Sequence, residues 1–127
     1  MTVTVLVVDD SKLARIVAGK AIAALQPDWV RVEASNAADA LSIVDTQRID
    51  VAILDFNMPD KDGLELAAEL RGAHPTMPIA VITANVQDEI VSRVRELNAT
   101  FVAKPVTQEA MSGFISGAAL RLKKAGA

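Results

Sequence analysis

Val51-Ala52-Ile53-Leu54-Asp55-Phe56-Asn57-Met58-Pro59-Asp60-Lys61-Asp62-Gly63 is an apolar run that stops at a carboxylate and then turns. Residues 51–54, bounded by turn formers, read as a strand buried on both faces, the pattern of a parallel sheet covered by helices. Asp55 then sits where the strand runs out. In open α/β sheets the carboxyl edge is where ligands bind, so a charged residue there is a functional candidate. A second reading is local: Asp55 caps the turn that follows it.

Working outward, the pattern repeats. Residues 3–8 form a β-branched apolar run that ends in Asp9-Asp10, and Ser11 caps a helix whose apolar positions are Leu13, Ile16, Val17, Ala21 and Leu25, stopped by Pro27. In residues 30–34, Arg31 and Glu33 alternate with Val30 and Val32, as near a sheet edge. Asn36 with Asp39 starts a helix carrying Ala37, Ala40, Leu41 and Val44 on one side. Beyond Gly63, Leu64, Leu66, Ala67 and Leu70 mark a helix ended by Gly72 and Pro75. A fourth strand, 78–83, ends in the hydroxyl of Thr83; a helix over 86–97 follows, and Asn98 suits a left-handed terminus. Residues 100–103 are a fifth strand running into Lys104-Pro105, and Thr107 caps a helix with the inward stripe Met111, Phe114, Ile115, Ala118 and Leu122. Strand and helix alternate five times without a linker, which predicts one doubly wound α/β domain over 1–127.

Composition narrows the chemistry. The 127 residues contain no cysteine, so disulfides, thiolate metal sites and cysteine nucleophiles are excluded. A net charge of −3 offers no basic face for phosphate backbones, and tyrosine is absent, so neither direct nucleic-acid binding nor a base-stacking platform is expected. The basic tail Arg121-Leu122-Lys123-Lys124 complements a helix dipole. With no signal-peptide core and no membrane-spanning run, the expectation is a soluble cytoplasmic protein without membrane contact.

Right-handed crossovers bring every strand end to one rim, so Asp9, Asp10, Asp55, Thr83 and Lys104 should converge. Three close carboxylates repel one another unless a cation offsets them, and oxygen ligands without His or Cys suit Mg2+. Lys104 adds a compact positive charge and Thr83 a hydroxyl donor. Carboxylate nucleophile, magnesium, lysine and hydroxyl together equip the rim for phosphoryl transfer onto Asp55.

With Val7-Val8-Asp9-Asp10-Ser11, Leu54-Asp55-Phe56-Asn57-Met58-Pro59, Asp62-Gly63, Val81-Ile82-Thr83-Ala84 and Phe101-Val102-Ala103-Lys104-Pro105 in this order, the chain resembles the receiver domains of two-component response regulators, in their single-domain chemotaxis-like form. The resemblance implies a flavodoxin-like fold: a five-stranded parallel sheet in the order 2-1-3-4-5 with five helices. It implies that Asp55 accepts phosphate from a phosphohistidine on a sensor histidine kinase or histidine phosphotransfer protein. Asp10 would ligate Mg2+ directly, Asp9 mainly through water, Asp55 as the acceptor carboxylate and Asn57 through its backbone carbonyl. Thr83 and Lys104 would hold phosphoryl oxygens, Lys104-Pro105 would be a cis peptide, and Phe101 would be the switch aromatic that turns inward when Thr83 moves. That movement would reshape the face formed by the last two helices and the fifth strand for a downstream protein target. The activity would be self-catalysed phosphotransfer and autodephosphorylation in a phosphorelay, not metabolic catalysis.

Other features keep two readings each. Phe101 also reads as ordinary core. Phe56 and Asn85 flank the pocket and bear on how water reaches Asp55. Gly113 and Gly117 are costly inside a helix, about 1 kcal/mol each relative to Ala. With Ser116 and Leu120 they lie opposite the inward stripe, where they are either poor helix formers compensated by packing or a close-approach surface for a partner helix or a second copy, in a phosphorylation-dependent dimer. His74 is expected at the surface of a helix end. Three other functions compete: a haloacid-dehalogenase-like phosphatase, a flavodoxin-like flavin carrier, and a receiver that scaffolds without phosphorylation. Against the first, the nucleophile lies on the third strand with Asn57 two residues on; against the second, Asp9-Asp10 stands where a phosphate cradle would be needed. Intact acidic and lysine positions weigh against the third.

Overall fold

The computed structural model describes residues 2–84 and 87–124. Asn85 and Val86 lie outside the described residues. Strand and helix alternate as β1 (Thr4–Val8), α1 (Lys12–Leu25), β2 (Val30–Ala34), α2 (Ala37–Thr46), β3 (Val51–Asp55), α3 (Gly63–Ala73), β4 (Ile79–Thr83), α4 (Asp88–Glu96), β5 (Thr100–Ala103) and α5 (Gln108–Lys124). All strands are parallel in the order β2-β1-β3-β4-β5. This is the doubly wound order expected from the resemblance.

The period-two geometry of a strand divides its side chains between two faces. Leu6, Val8, Ala52, Leu54, Ile79 and Val81 point to the side covered by Ala37 and Ala40 of α2, Leu66 and Leu70 of α3, and Ile90 and Val94 of α4. Val5, Val7, Val51, Ile53, Ala80 and Ile82 point to the other, against Ala18 and Ile22 of α1 and Met111, Phe114 and Ile115 of α5. Both faces being covered, β3 and β4 are buried throughout. Each fully buried Leu or Ile contributes about 1.5–3 kcal/mol to holding helix on sheet, and together they fix the strand ends at one rim.

Start signals were placed well where a polar side chain caps. Ser11 Oγ accepts from Ala14 N at 3.2 Å, Asn36 Oδ1 from Asp39 N at 2.8 Å, and Thr107 Oγ1 from Ala110 N at 3.0 Å. Asn98 has the left-handed backbone expected of it, with φ 55°. Three expectations are corrected. The fourth helix, expected to reach Leu97, ends at Glu96 with Leu97 as its C-cap; Gln87 occupies its N-cap without a side-chain cap bond, and the expected start at Val86 lies outside the described residues. Gly72 lies inside α3, and His74, half-buried, is its C-cap. On α1, Leu13, Ile16 and Val17 are 71%, 42% and 43% exposed, while Ala18, Ala21 and Ile22 are buried. At 100° per residue, 18, 21, 22 and 25 form one stripe and 13, 16 and 17 the adjacent one, so α1 has two apolar faces and the sheet covers one.

Candidate functional site at the carboxyl rim of the sheet

Asp55 is the last residue of β3 and is 3% exposed. Asp9 follows β1 and is buried; Asp10, next to it, is exposed. One carboxylate oxygen from each of the three lies within 4.8 Å of the others. Lys104, at the end of β5, brings Nζ to 2.9 Å from Asp55 Oδ1. The contact is an ion pair without hydrogen-bond alignment: among the described residues no directed donor serves this buried oxygen. Thr83, at the end of β4, is fully buried, and its carbonyl accepts from Lys104 N at 3.1 Å. The Lys104-Pro105 peptide is cis. The rim thus brings together the side chains of Asp9, Asp10, Asp55 and Lys104, with Thr83 at the end of the neighbouring strand joined to Lys104 through its backbone.

Local hydrogen bonds explain the precision. Asp9 N donates to Ala34 O at 3.1 Å, extending the β1–β2 ladder by one residue, and Asp9 Oδ1 accepts from Ser11 N at 2.9 Å. The loop after β3 is tied at both ends. Phe56 N donates to Ile82 O at 2.8 Å, and Gly63 N to Phe56 O at 2.8 Å. Asp60 accepts from Ala37 N and Ala38 N at 3.1 and 3.0 Å, fastening the loop to the start of α2. Asp62 caps α3 in a box with Glu65, and Lys61 pairs with Glu69.

Burial pushes the Asp9 carboxyl above its ordinary range, reinforced by the charges of Asp55 and Asp10 and opposed by the Ser11 N–H and Lys104. The contact with Asp55 raises Lys104 against the opposing effect of its burial. One ammonium therefore faces three carboxylates. The residues present fit a hard divalent cation: an all-oxygen donor set, an excess of negative charge, a buried carboxylate oxygen lacking an aligned donor, and Asp10 on the solvent side where a hydrated ion keeps its waters.

The remaining candidates lie around or away from this rim. Asn57 is exposed in the loop after β3, and Phe56 is half-buried, packed on the core. Phe101 is half-buried on the same cluster. Gly113 and Gly117 border a shallow groove of about 270 Å³ with Pro78, Thr100 and Arg121, where an added Cβ would meet nothing within 4 Å; Leu120 is exposed nearby on α5. Sequence reasoning missed Arg15 and Asp60, and named Glu33 and Asp62 without the roles they take here, Glu33 as partner of Arg15 and Asp62 as the cap of α3. The spacing Asp62-x-x-Glu65 is a capping-box signature that could have revealed the last; the other three act across elements and leave no local pattern.

Residues 5–116 match the model of the response regulator receiver domain. The chain is 37% identical over 109 residues to the positive alginate biosynthesis regulatory protein of Pseudomonas aeruginosa, covering 83% of this chain and 42% of that protein. To the sensor histidine kinase RcsC of Salmonella typhi it is 31% identical over 121 residues, covering 94% and 13%. The chain thus spans less than half the length of these curated relatives. Among solved structures, chemotaxis protein CheY4 of Vibrio cholerae superposes with a TM-score of 0.83 at 25% identity over 93% of this chain and 99% of that one. The signal receiver domain of an HD domain-containing protein from Pseudomonas fluorescens superposes with a TM-score of 0.87 at 17% identity, covering 98% and 99%. Family match, strand order and acidic rim agree: the chain belongs to the response regulator receiver domain family, phosphorylation-activated signalling modules of two-component systems and not metabolic enzymes.

Proposed function

We propose that Asp55 is the phosphoacceptor of this receiver and that residues 1–127 act as a single receiver domain. The observation that carries the reading is the meeting of Asp9, Asp10, Asp55 and Lys104 at one rim. In the transfer, an Asp55 carboxylate oxygen forms the new O–P bond as the N–P bond of a phosphohistidine breaks, and the departing imidazole takes up a proton from water. Lys104 exchanges its contact with Asp55 for a phosphoryl oxygen, and the Thr83 hydroxyl donates to another. Asp10, Asp9, Asp55 and the Asn57 carbonyl would hold Mg2+, which supplies charge neutralisation for the incoming phosphoryl group.

Hydrolysis then returns the domain to its resting state, with Phe56 restricting how water approaches Asp55. Movement of Thr83 toward the phosphoryl group and turning of Phe101 would alter the α4-β5-α5 face. Gly113, Gly117 and Leu120 on α5 would then meet a downstream protein or a second copy in a phosphorylation-dependent dimer. The donor is a sensor histidine kinase or histidine phosphotransfer protein in the cytoplasm. Among the described residues no helix is long and apolar enough to cross a membrane.

Incubation with Mg2+ and acetyl phosphate should add one acid-stable, base-labile phosphate, detected as a single mass increment. Asp55→Asn should abolish it. An increment that survives this substitution, or one independent of Mg2+, would overturn the assignment.

A further inference from the structure

Arg15 lies one turn into α1, away from the converging strand ends, yet its guanidinium spans two of them. Nη1 donates to Asp9 O at 2.7 Å and Nε to Glu33 Oε1 at 2.8 Å. The Arg15 side chain is 15% exposed and that of Glu33 52%, so the guanidinium is largely enclosed and its partner reaches it from the solvent side of β2. Asp9 is consequently held at each of its polar groups: N by Ala34 O, Oδ1 by Ser11 N, and O by Arg15. Its carbonyl belongs to the peptide that joins Asp9 to Asp10. Fixing that carbonyl fixes the plane from which the Asp10 backbone departs, and Asp10 itself is exposed.

We propose that Arg15, oriented by Glu33, is a positioning residue that presets the Asp9-Asp10 peptide for the divalent cation. The inference rests on the reading of the rim as a Mg2+ site. A fork of N–H donors suits this task because it can hold a carboxylate and a carbonyl at once in a fixed plane, which an ammonium cannot. Glu33 also offsets the Arg15 charge, which would otherwise repel an arriving cation.

Electrostatics and positioning predict opposite signs, which makes the test decisive. If Arg15 were merely a nearby positive charge, its removal would tighten Mg2+ binding. If it positions the peptide, removal weakens it. Titration calorimetry of the whole chain with MgCl2 should give a Kd about tenfold higher in Arg15→Met, the lower range for loss of a residue supporting a metal ligand. Arg15→Lys and Glu33→Gln should each weaken binding about threefold, a partial loss of the same support. In acetyl phosphate labelling, the Mg2+ concentration for half-maximal rate should rise in parallel, with the saturated rate much less affected. An unchanged or lower Kd in Arg15→Met overturns the proposal; should that variant not fold, an unchanged Kd in Arg15→Lys does so. Loss of Mg2+ binding or of Asp55 labelling in the wild type would instead sink the underlying reading.

Discussion

At the scale of single residues, the rim stores charge that the metal-free fold tolerates poorly. Burial and two neighbouring carboxylates raise Asp9 in the folded state, so its ionised form disfavours folding. That cost is present above the raised folded pKa and fades as pH falls through it toward the ordinary Asp value of about 4. Asp9→Asn should therefore stabilise the metal-free protein at pH 7 by about 1 kcal/mol, once screening at a part-open rim is discounted. The gain should shrink as the pH is lowered and reverse when saturating Mg2+ favours the wild type; urea denaturation at several pH values, with and without metal, measures it. Lys104 has the opposite linkage. Its pKa is raised, so its stabilising contact persists below the ordinary Lys value of about 10.4 and is lost only as pH rises through the folded one. Asp9, Asp10, Asp55, Thr83 and Lys104 were legible in the sequence because each ends a strand or follows one within two residues. Arg15 and Asp60 were not, since their partners, Asp9 with Glu33 and the α2 N-terminus, stand 6 to 23 residues away.

At the scale of elements, the turn joining β3 to α3 is where backbone meets backbone. A Cβ on Gly63 would stand 2.5 Å from Asp55 O and 2.9 Å from Phe56 Cα. Neither contact is with a side chain that can swing away, so Gly63→Ala must displace the start of α3 or the end of β3. Overpacking of this kind costs about 1–3 kcal/mol, and here the strain falls on Asp55, the proposed acceptor. The variant should lose stability of that size in chemical denaturation and label more slowly with acetyl phosphate even at saturating Mg2+; wild-type stability and rate would refute the close approach. The glycine was legible as a turn former, but its proximity to Asp55 needed the fold. Helix α1 shows the complementary shortfall. Ser11 and Pro27 bracketed it correctly, whereas its apolar residues could not say which of two adjacent stripes faces the sheet, because both satisfy helical periodicity.

At the scale of the whole molecule, the uncovered stripe of α1 and the buried Asp55 carboxylate bear on each other. A groove of about 260 Å³ beside the rim is lined by Asp9, Leu13, Val17, Lys104, Pro105 and Val106, among others, so apolar surface from α1 and from the β5–α5 connection borders the polar pocket. Asp55 is nearly inaccessible, so on the proposed reading a phosphohistidine carried on a protein approaches it at this rim, where this groove is the adjoining apolar surface. Acetyl phosphate needs no such contact. Leu13→Ser should therefore slow phosphotransfer from a phosphorylated histidine donor about tenfold, as for an interface side chain contributing 1–2 kcal/mol, while labelling by acetyl phosphate stays within about twofold of wild type, the effect of a surface change away from the chemistry. Parallel time courses with the two donors make the comparison. Equal slowing with both would mean that Leu13 supports the pocket itself, and equal rates with both would place the donor elsewhere on the rim.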